Sequence, residues 1–251
     1  MRHVLALWKR ELISYFLSPV GYIVGSVFIL LYNWFFFFGF KEANDANMAL
    51  AGGISAVMFL VTFAIPFLTM GLLADEKRTG TIEMLMTAPV ADWEVVLGKY
   101  LGALLFIVVL SLPSLLHVVA VRAYVKPDWG PIISGYIGLG LVILLLVSMG
   151  LFFSSVSKSA LVAVMISFVA FMTLLILGIV IPETAPAIKT SNVFTNILHY
   201  VFKALRYASL GEHYNNFAYG LVNTKDLAYF LSGTAFFLFL STLAVESRKW
   251  K

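Results

Sequence analysis

The sequence predicts an all-α polytopic membrane protein, and three observations indicate that fold class. Of its 251 residues, 61% are hydrophobic and 12% are charged, whereas soluble domains contain about 45–50% apolar and about 25% charged residues. Too few polar residues remain to cover a water-exposed surface, and the high hydrophobicity excludes a disordered chain. The apolar runs are long enough to cross a bilayer as helices of about 20 residues. The run at 33–38 lacks the alternation of a β-barrel strand.

The first 18 residues predict a helix that lies in the membrane interface. Leu5, Leu12 and Phe16 recur on one side at helical spacing, while the charged residues lie mostly on the other side. Ser18 and Pro19 end this pattern and begin the first span. Two roles fit the segment: a basic anchor that sets the topology, or a lever that connects the cytosolic side to the first span. Its interfacial residues are Trp8, Lys9, Arg10 and Glu11.

Six apolar runs predict six transmembrane helices in one domain that covers residues 1–251. Ten of the 17 Lys and Arg residues lie inside if the N-terminus is inside, and the short C-terminal tail is basic, so we predict an N-in/C-in orientation. The pairs Gly21/Gly25 and Gly98/Gly102 have the spacing that permits close approach of two helices. The predicted spans are approximately 20–40, 50–73, 100–121, 132–153, 160–181 and 227–245.

The predicted spans contain no Asp, Glu, Lys or Arg in their interiors. Ion-coupled transporters keep such residues near the midplane, so uphill transport by this protein would need energy from another chain. The absence of Cys excludes disulfides and thiolate metal sites. Gly98 and Lys99 do not form a P-loop, because Trp93 occupies the first Walker position. We therefore expect no catalytic residue, metal or cofactor here, and the dispersed basic residues indicate topology and not nucleic-acid binding.

An intramembrane hydrolase is the alternative from a different class of protein. Ser114 and His117 lie three residues apart on one face of the third predicted span, as a nucleophile and its base would. No third group orients them, and no G-x-S-x-G or H-E-x-x-H motif accompanies them. The sequence therefore disfavours this alternative.

The predicted cytosolic loop at 74–99 holds eight of the chain's 30 charged residues, counted as 17 basic plus 13 acidic. Within it, residues 78–87 predict a short helix that Thr79 or Thr81 caps and Pro89 ends. Apolar residues such as Leu85 give this helix a small apolar face, which a short loop does not need for its own folding. Two interpretations remain open: a docking element for a soluble cytosolic partner, or a solvated loop.

The segment at 182–226 is predicted to lie on the extracytoplasmic side and to form short or re-entrant helices. Apolar residues recur at a spacing of four between positions 193 and 205. Structureless loops of this length are uncommon unless they are functional, so we expect helical structure there.

The order of these features resembles the type-two ABC transporter permeases, which share an interfacial helix, six spans, a docking loop after span two and a broken outer segment. The strongest local match is residues 73–90, Leu-Ala-Asp-Glu-Lys-Arg-Thr-Gly-Thr-Ile-Glu-Met-Leu-Met-Thr-Ala-Pro-Val. It is similar to that family's signature of an acidic residue followed by Gly-Thr, Leu and Pro. Residues 8–19 and 217–232 resemble the gliding-motility-associated, GldF-like permeases.

The resemblance implies the permease subunit of an ATP-driven exporter in the bacterial cytoplasmic (inner) membrane. Two permease subunits would face each other, either as a homodimer or as a heterodimer with a GldG-like subunit. Each would bind one of two copies of a cytosolic ABC ATPase, which would bind ATP and Mg. An ABC-type mechanotransmission or envelope-remodelling complex without a transported solute is the alternative. A standalone channel is disfavoured by the docking loop and the uncharged spans.

The resemblance also implies that the ATPase docks on a coupling helix within the loop. Gly80 and Thr81 would shape and cap this helix, Glu83 would face a basic residue of the ATPase, and Leu85 would fill its groove. The docking residues that the resemblance implies are Glu76, Arg78, Thr79, Gly80, Thr81, Glu83, Met84, Leu85, Thr87 and Pro89.

Overall fold

The computed structural model describes residues 2–43, 45–80, 91–180 and 193–247, and within these ranges it contains eleven helices and no strand. The all-α prediction is confirmed. The helices are α1 (Arg2–Leu17), α2 (Pro19–Glu42), α3 (Ala46–Thr69), α4 (Gly71–Thr79), α5 (Asp92–Ser111), α6 (Ser114–Arg122), α7 (Trp129–Val156), α8 (Ala160–Val180), α9 (Val193–Tyr207), α10 (Leu210–Ala218) and α11 (Thr224–Glu246).

Six helical segments in the described part of the chain are long and apolar enough to cross a membrane, as predicted. They are α2, α3 with α4, α5 with α6, α7, α8 and α11. This is a multi-pass membrane protein. The side that carries α1, α4 and the end of α11 is called cytosolic, following the predicted orientation.

Spans two and three extend further towards the cytosolic side than the apolar runs indicated. Span two continues through α4 to Thr79, and span three begins at Asp92 instead of near residue 100. Asp92 and Glu94 lie in the first turn of α5, where acidic side chains interact favourably with the helix dipole. Most of the predicted loop at 74–99 is therefore helical where the structure describes it.

Helix α7 is the centre of the bundle. The structure buries 72% of its most apolar window, against 11% for α2, 17% for α8 and 22% for α11. It packs against α3, α5, α10 and α11, and Val142, Leu146 and Leu151 are completely buried. The core of the protein is thus the layer between α7 and α3, and the other spans surround it.

Spans one and five flank span two and leave large apolar faces uncovered. Aromatic contacts connect them: Phe59 of α3 lies 6.3 Å from Phe35 of α2, and Phe63 of α3 lies 5.5 Å from Phe168 of α8, measured between ring centroids. Phe59 and Phe67 are themselves exposed. In a membrane, lipid or another protein subunit covers such faces.

Helices α9 and α10 occupy the described part of the outer segment. Helix α10 buries Leu210, Tyr214 and Phe217 against α7 and α8. Residues 181–192 lie outside the described ranges.

A group of hydrogen-bonded polar side chains lies at the base of these outer helices, and we call His213, Asn216 and Asp226 the outer polar cluster. His213 Nδ1 is 2.6 Å from Asp226 Oδ1, and His213 Nε2 is 2.8 Å from the Tyr207 carbonyl oxygen. Asn216 Nδ2 donates to Asp226 Oδ2 at 2.8 Å. The cluster joins α9, α10 and the first turn of α11.

Candidate functional site

A buried lysine connects three helices at the cytosolic end of the bundle. The Lys99 side chain on α5 is only 3% exposed, and its Nζ lies 2.8 Å from Glu11 Oε1 on α1 and 2.8 Å from Glu76 Oε1 on α4. We call Glu11, Glu76 and Lys99 the Lys99 triad. Two of its members were singled out from the sequence, Glu11 as an interfacial residue and Glu76 as a docking residue.

The Lys99 triad favours one arrangement of its three helices, because separating its members would leave a buried charge without its ion-pair partner. Burying a charge is unfavourable unless it is paired, and removal of one partner from a buried ion pair leaves the other uncompensated. Here one ammonium forms ion pairs with two carboxylates that are both largely buried, with 17% and 19% of their side chains exposed. The Lys99 ammonium therefore links helices α1, α4 and α5.

Helix α1 lies directly on α5 because two glycines let it approach. A Cβ atom added at Gly98 would lie 2.7 Å from Leu7 Cβ, and one at Gly102 would lie 2.6 Å from Glu11 Cβ. Both distances are closer than carbon atoms can pack. The Gly98/Gly102 pair in the sequence thus forms the surface of α5 against which α1 packs, and this packing brings Glu11 to Lys99. Trp8 contributes backbone atoms to the contact, while Lys9 and Arg10 are exposed.

Tyr15 joins the far end of α1 to spans two and three. Its hydroxyl donates to the Leu68 carbonyl oxygen at 2.6 Å, and its ring stacks on Phe106 with centroids 5.0 Å apart. Burial, reinforced by the Glu11 carboxylate, raises the pKa of the Tyr15 hydroxyl, so it stays a neutral donor. Helix α1 is therefore attached to the bundle in its middle, at Glu11, and near its C-terminal end, at Tyr15.

Ser154 on α7 holds the junction between α3 and α4. Its hydroxyl donates to the Met70 carbonyl oxygen at 2.8 Å and accepts from the Leu73 and Ala74 N–H groups at 3.0 and 3.1 Å. Because the chain leaves α3 at Met70, these backbone groups need a partner outside their own helix. One side chain of the central helix supplies it, so α4 is oriented by α7 as well as by Lys99.

The two residues predicted to begin the coupling helix belong to α4. Arg78 and Thr79 form the last turn of α4, and the Thr79 hydroxyl donates to the Asp75 carbonyl oxygen at 2.9 Å. Gly80 then adopts a left-handed conformation with φ of 74°. Glycine in this conformation ends a helix by satisfying its last carbonyl groups. The prediction that Arg78 and Thr79 begin a separate helix, with Thr79 as its cap, is therefore wrong, and the alternative cap, Thr81, lies outside the described ranges.

The remaining docking residues lie outside the described ranges and stay predictions. The structure places Glu76 in the Lys99 triad, and Arg78 beside Asp75 at 3.7 Å on an exposed surface. The residues in the part that is not described are Thr81, Glu83, Met84, Leu85, Thr87 and Pro89.

The candidate hydrolase pair has other partners. The Ser114 hydroxyl donates to the Ser111 carbonyl oxygen at 2.7 Å and lies 2.9 Å from the Tyr136 hydroxyl. His117 Nε2 lies 3.1 Å from Asn33 Oδ1 on α2. Among the hydrogen bonds described, none joins Ser114 to His117, so the geometry offers no support for a nucleophile activated by this histidine. The described residues also contain no group of three or more acidic or histidine side chains that could hold a metal ion.

Comparison with protein families supplies one match. The family model described as "ABC-2 family transporter protein" matches residues 13–246, which is most of the chain. A search of curated proteins found no match to this sequence.

Proposed function

The chain belongs to the ABC-2 transporter family and is a membrane permease subunit of an ABC transporter, and on that premise we propose that a separate cytosolic ATPase drives it to export a substrate. The ATPase would bind ATP and Mg and would dock on the segment 80–91. Export is the direction that the resemblance to type-two permeases implies. The bacterial inner membrane is the location that goes with this proposal.

The observation that carries the proposal is the Lys99 triad. Residues 80–91 connect the end of α4 at Thr79 to the start of α5 at Asp92. Glu76 on α4 and Lys99 on α5 are ion-paired at 2.8 Å, so both ends of the docking segment are fixed to each other. A force applied to this segment by an ATPase would move α4 and α5 as one body, and would not be lost in bending between them.

Two routes would carry that movement into the membrane. The first runs from α4 through Ser154 to α7, the most buried helix. The second runs from Lys99 through Glu11 to α1, whose end at Leu17 is separated by Ser18 alone from Pro19 at the start of α2. Of the two roles that the sequence left open for the N-terminal segment, the lever is the one that these contacts support.

We propose that spans one and five form the face that meets the second permease subunit. They are the two least buried spans, at 11% and 17% of their apolar windows. Their aromatic contacts with Phe59 and Phe63 frame one continuous face around span two. The partner would be a second copy or, as the resemblance of residues 8–19 and 217–232 to GldF-like permeases suggests, a GldG-like subunit. The mass of the purified complex would distinguish a homodimer from a heterodimer.

Co-purification with the ATPase tests the docking assignment. The chain would be affinity-purified from membranes together with its ATPase, and ATP turnover would be measured after reconstitution in proteoliposomes. We expect Leu85→Asp to reduce the bound ATPase by about tenfold or more, because about 1.4 kcal/mol of lost contact is sufficient for that change. Glu83→Lys would place a like charge opposite the proposed basic residue and would have a similar effect.

The matched control is Glu246→Lys, which makes the same charge change at an exposed position of the cytosolic end of α11. It should leave assembly and turnover unchanged. Wild-type assembly and turnover in both Leu85→Asp and Glu83→Lys would show that the docking assignment is wrong. Stoichiometric ATPase in the wild-type preparation would exclude the standalone channel.

A further inference from the structure

A cleft with a volume of about 290 Å³ opens between α1 and the junction of α3 and α4. It lies where the interfacial helix meets span two. Its walls carry both charges, hydroxyl groups and apolar side chains. The lining residues that matter here are Arg10, Ser14, Val20, Phe67, Asp75 and Glu76.

The polarity of this cleft changes along the membrane normal. Val20 is in the first turn of α2 and Phe67 is near the cytosolic end of α3, and both are more than 40% exposed on the outer surface of the bundle. Asp75 and Glu76 lie further along, on α4, and Arg10 lies on the interfacial helix. A ligand that fills the cleft must therefore be apolar at the membrane end and polar at the cytosolic end, as a phospholipid is.

The charges of the cleft select a headgroup. Its lining has three carboxylates, Glu11, Asp75 and Glu76, and two cations, Arg10 and Lys99. Lys99 is held by Glu11 and Glu76. That leaves Asp75, whose contact with Arg78 is long at 3.7 Å and solvent-exposed, and such surface pairs are weak. The arrangement thus offers an anionic group on α4 and a cationic group on α1, facing the same space.

We propose that this cleft binds an aminophospholipid of the cytosolic leaflet, with the primary ammonium of its headgroup at Asp75 and its phosphate at Arg10 and the Ser14 hydroxyl. An ammonium donates three hydrogen bonds to carboxylates, which a quaternary choline group does not. An anionic headgroup such as phosphatidylglycerol brings no cation to Asp75. The acyl chains lie against Val20 and Phe67, where the cleft opens to the bilayer. The bound lipid bridges α1 and α4 beside the Lys99 triad.

Lipid retention in nanodiscs tests this assignment without any ATPase, so its result is independent of the proposed function. The purified chain is reconstituted in equal amounts of phosphatidylethanolamine, phosphatidylglycerol and phosphatidylcholine with the same acyl chains. The lipids that stay bound are then counted by native mass spectrometry. We expect phosphatidylethanolamine to be retained about tenfold over each of the other two. Equal retention of the three lipids would overturn the proposal.

Two pairs of variants locate the bound lipid. Ser14→Trp fills the cleft and should remove the retained lipid, while Ile13→Trp adds the same bulk at an exposed neighbour outside the cleft and should not. Asp75→Asn should remove the preference for phosphatidylethanolamine over phosphatidylcholine, and Glu246→Gln should preserve it. Equal lipid retention by the two tryptophan variants would overturn the assignment. Displacement of the lipid by an equal concentration of water-soluble O-phosphoethanolamine would do so as well, because the apolar wall would then contribute nothing.

Discussion

The two ends of the bundle both bury charged groups, but they use them differently. The Lys99 triad joins residues that are 88 and 23 positions apart in the chain and belong to three helices of the cytosolic side. The outer polar cluster joins residues 13, 10 and 6 positions apart within one stretch of the outer side. The inner group thus connects distant parts of the protein, while the outer group closes one local turn of the chain.

Both groups lie just beyond the apolar runs that define the spans. Lys99 precedes the third predicted span by one residue, and Asp226 precedes the sixth by one residue. Both residues are buried nonetheless, at 2% and 3% exposure. Charges at the ends of spans can be paired by helices that pack there, whereas charges at the midplane are much more costly. The comparison indicates that this protein places its rigid polar contacts at the two membrane surfaces.

The variant with the largest expected effect breaks the inner group. Lys99→Met removes the ammonium that pairs with the largely buried carboxylates of Glu11 and Glu76, and we expect a loss of about 3–5 kcal/mol in stability. Thermal unfolding in detergent would measure it, with Lys158→Met as the control because Lys158 is an exposed lysine on the same side. Adding Glu11→Gln and Glu76→Gln to Lys99→Met should recover most of the loss, since the two carboxylates that Lys99 paired with are then neutral amides. Equal melting temperatures for Lys99→Met and Lys158→Met would contradict the role of the triad.

A second variant breaks the outer group and should have a smaller effect. Asp226→Asn removes the carboxylate that accepts from Asn216 and pairs with His213. We expect a loss of about 1.5–3 kcal/mol, the range for hydrogen bonds to charged groups. Glu42→Gln, at an exposed position of the outer end of α2, is the control. Because the outer cluster is local, ATP turnover of the assembled transporter should change less than with Lys99→Met. An equal loss of ATP turnover in Asp226→Asn and Lys99→Met would contradict this difference between the two groups.

The variant with the smallest expected effect tests the contact of Ser154 with the junction between α3 and α4, on the cytosolic side. Ser154→Ala removes the hydroxyl that serves the Met70, Leu73 and Ala74 backbone groups, and we expect a loss of about 1–2 kcal/mol. Ser155→Ala is a matched control, because the Ser155 hydroxyl is also buried but donates only within its own helix, to the Phe152 carbonyl oxygen. Hydrogen exchange of the Leu73 and Ala74 amides should accelerate in Ser154→Ala alone. Unchanged exchange there would show that α4 does not depend on α7.

Much of the fold could be predicted from the amino-acid order because it depends on local composition. The six spans follow from runs of apolar residues whose length matches the bilayer. The amphipathic helix at the N-terminus follows from spacing within 18 residues. The spacing of Gly98 and Gly102 predicted close packing with another helix. It did not predict that this helix is α1, because a glycine pair allows close approach without specifying which helix packs against it.

The candidate site was less predictable, for two physical reasons. The coupling helix was predicted to include Arg78 and Thr79 because the local residues favour a helix there, but the helix of span two already contains them and ends at Gly80. Lys99 was assigned to a cytosolic loop because a lysine beside an apolar run normally lies in water. An exposed and a buried lysine have the same local sequence pattern, and only the arrival of Glu11 and Glu76 from elsewhere in the chain distinguishes them.

The order of residues alone therefore determined that this is an all-α, six-span membrane protein with an amphipathic first helix and six apolar runs whose interiors carry no charged residue. Those properties depend on hydrophobicity and periodicity over short stretches of chain. The tertiary structure decided which charges are buried, which helix is central and where α1 is attached. Those properties depend on pairs of residues up to 88 positions apart, and the energy of such a pair exists only once packing has brought its members together.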